Sequence, residues 1–135
     1  MKEINCLNNE IKELLDHANN AKKMAFAKYS NFLVGAALKT QEGKIFTGCN
    51  IENASYGLTI CAERVALFKA YSEGYRNIEK LVVIADVDKP ISPCGACRQV
   101  ISELAPNAKI YLANRNLDKV IETNINELLP YSFEL

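Results

Sequence analysis

Long apolar runs, a surplus of either charge and more than one histidine are all missing from this chain of 135 residues, and each absence removes a class of function. No stretch approaches the roughly 18 consecutive apolar residues of a membrane-spanning helix. The opening MKEINCLNNEIKELL carries charged residues where a secretory leader has its apolar stretch, so a cytoplasmic protein with no membrane partner is expected. Lys plus Arg and Asp plus Glu number 16 each, so the bulk charge does not attract a phosphate backbone and nucleic acid is not an expected partner. Repeats, low-complexity tracts and linker-like stretches are also absent, and 49% apolar residues suffice for a core. Residues 1–135 are therefore expected to form a single domain.

Apolar periodicity divides the chain into alternating helices and strands. Leu7, Ile11, Leu14, Leu15, Ala18, Ala21 and Ala25 recur at helical spacing, which predicts an amphipathic helix over about residues 6–27. Two β-leaning runs, FLVGAAL and KIFTGCNI, flank the turn signal QEG and predict a hairpin between Phe32 and Cys49. A second helix starts near Ile60 and ends at Gly74, a residue type that enters the left-handed region cheaply. KLVVIAD then reads as a strand covered on both faces. A third helix opens with Ser92 as N-cap and Pro93 at its first position, and Pro106 stops it. KIYLA and KVIET are separated only by NRNLD, too short for a parallel crossover, so they form an antiparallel hairpin. The sum is a three-layer α/β/α sandwich around one mixed five-stranded sheet.

Five cysteines in a chain read as intracellular fit reduced thiols or metal ligands better than a disulfide framework. Cys94 and Cys97, in SPCGACRQ, lie at the start of a helix, where free N–H groups and the helix dipole favour thiolates on one face. Soft thiolates in tetrahedral geometry select zinc. A structural zinc needs four protein ligands, but there is no second C-x-x-C, and the lone histidine, His17, sits on the polar side of the first helix as a surface residue. Cys6 and Cys49 read as small apolar residues, and Cys61 becomes the third ligand. Three protein ligands with the fourth position left to water is the pattern of catalytic zinc.

Glu63, two residues after Cys61, is placed to move the protons of that water. Positions two apart on a regular helix point about 200° away from each other, so Cys61 must lie at the helix cap or in its first turn for both to face the metal. Three thiolates on Zn²⁺ leave a net negative site, and Arg64 is placed to donate hydrogen bonds to ligand sulfurs; Arg98, beside Cys97, either shares that role or faces solvent.

Cys-x-Glu followed by Pro-Cys-x-x-Cys is the zinc-deaminase signature in its three-cysteine form. With YSNFLVGAAL, GCNIENASYGLTICAERVAL, SPCGACRQVISEL and ELLPYSF around it, the chain resembles the small tetrameric cytidine deaminases of nucleoside salvage from about Ala25 to its end. The resemblance implies zinc on Cys61, Cys94 and Cys97, with Glu63 as proton shuttle in converting cytidine and deoxycytidine to their uracil counterparts. It also implies that Asn50 and Glu52 grip the ribose hydroxyls, Phe32 lines the nucleoside pocket, and Ala54 and Tyr56 belong to a segment meeting the base and a subunit interface. Phe133 matches an aromatic that closes a neighbouring subunit's pocket, which implies a homotetramer with shared active sites. Leu33, where relatives often carry proline or a charged residue, and Leu135, which ends a short tail, depart from the pattern without touching the chemistry.

Four other readings remain at this level. A deaminase of the same fold can act on another amino-heterocycle, such as an aminated antibiotic nucleoside or guanine, although NIENASYG argues against it. An enzyme acting on bases within RNA or DNA is opposed by the neutral charge and the terminal hairpin. A non-catalytic zinc module would recruit Cys49 or Cys6 as fourth ligand. A redox protein using CGAC as a dithiol would leave Cys61 and Glu63 idle.

Overall fold

The computed structural model describes residues 1–135. The elements are β1 (Lys2–Ile4), α1 (Asn9–Lys22), β2 (Val34–Thr40), β3 (Ile45–Cys49), α2 (Ala62–Ser72), β4 (Ile78–Ala85), α3 (Gly95–Leu104), β5 (Lys109–Ala113), β6 (Val120–Thr123) and α4 (Ile125–Leu128), with a short 3₁₀ turn at Tyr56–Leu58. The strands form one sheet in the order β1-β6-β5-β4-β2-β3. Only β4 and β5 are parallel, and α3 is the crossover between them. The predicted hairpins are both present: β2 pairs β3 with Leu38 opposite Phe46, and β5 pairs β6 with Leu112 opposite Ile121.

Alternation along β4 assigns the two faces. Leu81 and Val83 join the larger core with Ala66 and Leu67 of α2, Ile101 of α3 and Leu128 of α4. Val82 and Ile84 turn the other way, onto Ile11, Leu14, Leu15 and Ala18 of α1. A strand buried on both faces reads as an unbroken apolar run, and KLVVIA does.

The sheet has six strands where the sequence predicts five. The added β1 is three residues long and pairs antiparallel with β6, Lys2 opposite Glu122; so short and charged a segment carries no period-two signal. Helix α1 is shorter than 6–27 at both ends. Asn8 caps it by accepting a hydrogen bond from the Ile11 N–H at 2.9 Å. Past Lys23 the chain turns into a bridge in which the Phe26 N–H donates to Asn50 O at 2.9 Å and the Glu52 N–H to Phe26 O at 2.9 Å. Helix α3 starts two residues later than predicted, because the Ser92 hydroxyl accepts from Arg98 Nη2 at 3.0 Å and caps nothing; Cys94 is the N-cap. Gly74, at φ +90°, follows α2 as expected, and α3 ends just before Pro106.

Two glycines set how closely the layers approach. A Cβ on Gly35 would lie 2.0 Å from Ala18 O of α1, and one on Gly48 would lie 2.4 Å from Ala62 O and 2.6 Å from Ala66 N of α2. The backbone of α2 thus rests directly on β3, and any side chain at 48 pushes the helix outward. Gly48→Ala is expected to lower unfolding stability by on the order of 1–3 kcal/mol, read from the urea midpoint at unchanged m-value. A wild-type midpoint would mean that α2 has slack at this contact.

Candidate active site

Two helix N-termini point at one spot. Cys61 is the N-cap of α2 with φ −74° and ψ 155°, and Cys94 is the N-cap of α3 with φ −66° and ψ 167°. Neither thiol makes a cap hydrogen bond, so neither sulfur is tied to the backbone N–H groups of its own helix. Their Sγ atoms lie 3.6 Å apart, and with buried Cys97 the three sulfurs fall within 4.8 Å of one another. Tetrahedral zinc at about 2.3 Å from each sulfur would space them by about 3.8 Å, so the donor set fits zinc in identity and spacing. The extended backbone at Cys61 also removes the 200° conflict, and Cys61 and Glu63 line the same cavity.

Cys6 and Cys49 stay outside the cluster, which leaves a zinc module without its fourth sulfur. A dithiol reading of CGAC does not explain why Cys61 closes on both of its cysteines. His17 is on the surface, 3.9 Å from Glu13.

Without a cation, the thiols cannot all ionise together. The Cys61 thiol is held down to about 5, first by a hydrogen bond with Cys97 and then by Arg64. The Cys97 thiol is pushed up by that same bond and by burial. Arg64 Nη2 donates to Cys61 Sγ at 3.4 Å, as the sequence suggests, while its buried Nε has no partner within the chain. Arg98 differs from the expectation that it bonds sulfur or faces solvent: its Nε donates to Pro93 O at 2.8 Å, its Nη1 to Leu128 O at 2.6 Å and its Nη2 to Ser92 Oγ. Glu63 is 4% exposed, and burial pushes its carboxyl up to about 7, with the nearby Cys61 charge adding to the rise.

Cys61, Glu63 and Cys94 line a cavity of about 460 Å³, a size suited to a small-molecule ligand. Phe32, Asn50 and Glu52 line it, as do the apolar side chains of Val83, Ala85 and Ile91. Asn50 is already half used: its Nδ2 donates to Phe32 O at 2.8 Å and its Oδ1 accepts from the Val34 N–H at 2.9 Å. One N–H and one lone pair remain for a ligand. Glu52 accepts from the Tyr29 and Ser30 N–H groups at 2.9 and 3.0 Å and from the Ser30 hydroxyl, which holds its carboxyl below the usual range. Both residues therefore clamp the loop that carries Phe32. Ala54, Tyr56 and Phe133 do not line this cavity. Ala54 is exposed. Tyr56 is 75% exposed beside a neighbouring depression, packed edge-on to Tyr29, and Phe133 is 68% exposed with its carbonyl 3.4 Å from Gln99 Nε2.

Sequence reasoning missed Ser30, Val34, Thr59, Ala62, Val83, Ala85, Ile91 and Ser92 as cavity residues. Val83 and Ala85 had a usable signal, since ligands of α/β sheets bind beyond the carboxyl ends of the strands.

Three clustered sulfurs, two of them lining a ligand-sized cavity together with a buried carboxyl, on an α/β/α sheet, define a zinc-dependent hydrolytic site. The family model described as the cytidine and deoxycytidylate deaminase zinc-binding region matches residues 8–113, and the chain belongs to that family. It is 53% identical over 121 residues to a cytidine deaminase of Halalkalibacterium halodurans, covering 89% of this chain and 91% of that one. It is 46% identical over 125 residues to a cytidine deaminase of Sporosarcina psychrophila, covering 92% and 91%. The crystal structure of a cytidine deaminase from Burkholderia pseudomallei superposes with a TM-score of 0.87 at 48% identity, covering 94% of this chain and all of that one.

The raised Glu63 carboxyl makes a stability prediction for the metal-free protein. Its folded value of about 7 exceeds the ordinary 4.5, so the folded state holds the proton more tightly. The stabilisation from this group is complete below pH about 4.5 and lost as pH rises to about 7, a span worth about 3 kcal/mol. Metal-free Glu63→Gln is therefore expected to gain melting temperature over metal-free wild type progressively between pH about 4.5 and about 7. A difference independent of pH would contradict the buried, raised carboxyl.

Proposed function

We propose that this chain catalyses the hydrolytic deamination of cytidine and deoxycytidine to uridine and deoxyuridine with release of ammonia, in pyrimidine salvage. The observation that carries the reading is the cluster of Cys61, Cys94 and Cys97 sulfurs, with Cys61, Cys94 and the buried Glu63 carboxyl lining one ligand-sized cavity. Zinc, when held by those sulfurs, supplies the Lewis acidity that makes water nucleophilic near neutral pH. Glu63 takes one proton from the water that adds to C4 of the pyrimidine and delivers it to N3. It then takes the remaining proton from the new C4 hydroxyl and gives it to the amine, so that the C4–N bond breaks, ammonia leaves and the C4 carbonyl forms. Burial, which raises the Glu63 carboxyl above its ordinary range, suits a group that both takes up and returns protons. Arg64, bonded to Cys61, offsets the charge of three thiolates.

Substrate class follows from charge. The cavity is lined by two carboxyl residues, Glu52 and Glu63, and by no Lys, Arg or His, so nothing in it pairs with a 5′-phosphate and a neutral nucleoside is favoured. Asn50 and Glu52 use their remaining hydrogen-bonding capacity on the ribose hydroxyls, Phe32 packs against the nucleoside, and the Ala54 backbone meets the base. A net charge of zero supports the exclusion of polynucleotides.

The chain acts as one domain, in the cytoplasm, within a homotetramer; no helix is long and apolar enough to cross a membrane. Support for assembly comes from Tyr56, Phe133 and Phe26, at 75%, 68% and 51% exposure, and from the unpartnered Arg64 Nε. In the tetramer Tyr56 meets a neighbouring subunit and Phe133 closes a neighbour's pocket.

The test is the ultraviolet absorbance of cytidine and deoxycytidine with purified protein before and after chelation. Loss of the cytosine band with ammonia release, abolished without zinc, is expected; no change with one zinc bound would move the substrate to another amino-heterocycle. Glu63→Ala should retain zinc and lose turnover by a factor on the order of 10²–10⁴. Glu52→Gln should raise KM more than it lowers kcat, and an unaltered KM would remove Glu52 from ribose recognition.

A further inference from the structure

The segment leading into α3 has almost nothing of its own to hold it. From Lys89 to Pro93 no residue takes part in a backbone–backbone hydrogen bond with its N–H or carbonyl, and the segment lies outside every helix and strand. Yet Ile91, Ser92 and Cys94 form one wall of the cavity, and Cys94 presents one of the three sulfurs. The Cys94 side chain makes no cap bond that would fix its own position.

Arg98 supplies the missing restraint. Its Nε donates to Pro93 O at 2.8 Å and its Nη2 to Ser92 Oγ at 3.0 Å, so one guanidinium holds two consecutive residues immediately before Cys94. The third nitrogen, Nη1, donates to Leu128 O at 2.6 Å at the end of α4. That carbonyl belongs to the negative end of a helix, a favourable place for a cation. The planar fork is thereby braced from outside the site, and a lysine, with one nitrogen, cannot reproduce three directions.

We infer that Arg98 is a positioning residue of the metal site, fixing Cys94 and the adjoining cavity wall through Ser92 and Pro93 without touching a sulfur. The inference rests on reading the three thiols as the zinc site. Its effect is on the rigidity of the ligand set: with the fork removed, the Ser92–Cys94 segment moves and the Cys94 sulfur spends part of its time away from the metal. Zinc remains bound through the other sulfurs but leaves faster, and the reacting groups lose alignment. Losses of 10–100-fold in metal affinity or activity are typical for such outer contacts.

The experiment compares wild type with Arg98→Met, Arg98→Lys and Ser92→Ala. Zinc release to a colorimetric chelator is followed well below the melting temperature, and visible spectra are taken of the cobalt-substituted proteins. Arg98→Met is expected to bind one zinc, release it at least tenfold faster and shift the cobalt bands, with kcat reduced more than KM is raised. Arg98→Lys should recover part of each change, and Ser92→Ala should show a smaller shift in the same direction. A purely structural arginine would lower the melting temperature and leave release rate and spectrum alone, and that result overturns the inference. Should Arg98→Met fail to fold, wild-type release rates and spectra in both of the other variants overturn it equally. Wild type that takes up no zinc overturns this inference and the zinc reading together, whereas stoichiometric zinc with unaltered variants ends only the role of Arg98.

Discussion

Three thiols brought to one point at the ends of two helices are the constraint on which this structure turns. Crowding that much incipient negative charge is unfavourable unless something opposes it, and the fold opposes it with geometry. Helices α2 and α3 both begin at the cluster, so their unpaired N–H groups and dipoles face the sulfurs. Arg64 adds a full charge against Cys61. Glycine at position 48 lets α2 lie on β3 closely enough for its first turn to arrive, and the parallel β4–α3–β5 unit brings the start of α3 to the same end of the sheet. Glu63 inherits its burial from this arrangement, and with it a carboxyl whose proton is exchangeable near neutrality.

Much of the frame was legible because its signals are local. The QEG turn, Gly74 and Pro106 each fix a boundary through backbone sterics that hold in any context. The failures arose where tertiary contacts decided. Helix α1 ends at a bridge between Phe26 and Ile51, residues 25 apart that no periodicity connects, and the N-cap of α3 moved to Cys94 because a guanidinium occupied the serine hydroxyl. Strand β1 exists only as the partner of β6, and the four residues of α4 are too few to show a helical period.

The chemical centre was more legible than its surroundings. Cysteine and glutamate at catalytic spacing are rare enough to announce themselves, and the notion that Cys61 must occupy a helix cap followed from angles alone. The cavity wall gave no such notice, since Val83, Ala85 and Ile91 look like any core residues until the sheet places them beside the sulfurs. Asn50 and Glu52 enter only through the family resemblance, and their clamping of the loop around Phe32 depends on hydrogen bonds between segments that only the fold brings together. Arg98 shows the same limit, because an arginine beside a ligand cysteine reads identically whether it aims at sulfur or at a carbonyl.

The chain order of the sulfurs also dictates when the metal can arrive during folding. Between Cys61 and Cys94 lie the whole of α2 and the central strand β4, which must slot between β2 and β5 before the two caps meet. A metal captured early would find at most the Cys94–Cys97 pair, an incomplete set. Small zinc modules are nucleated by their ion, whose binding energy is their folding energy. Here the third sulfur joins the pair only through the non-local sheet, so the complete ligand set is a property of the assembled scaffold rather than of any local segment.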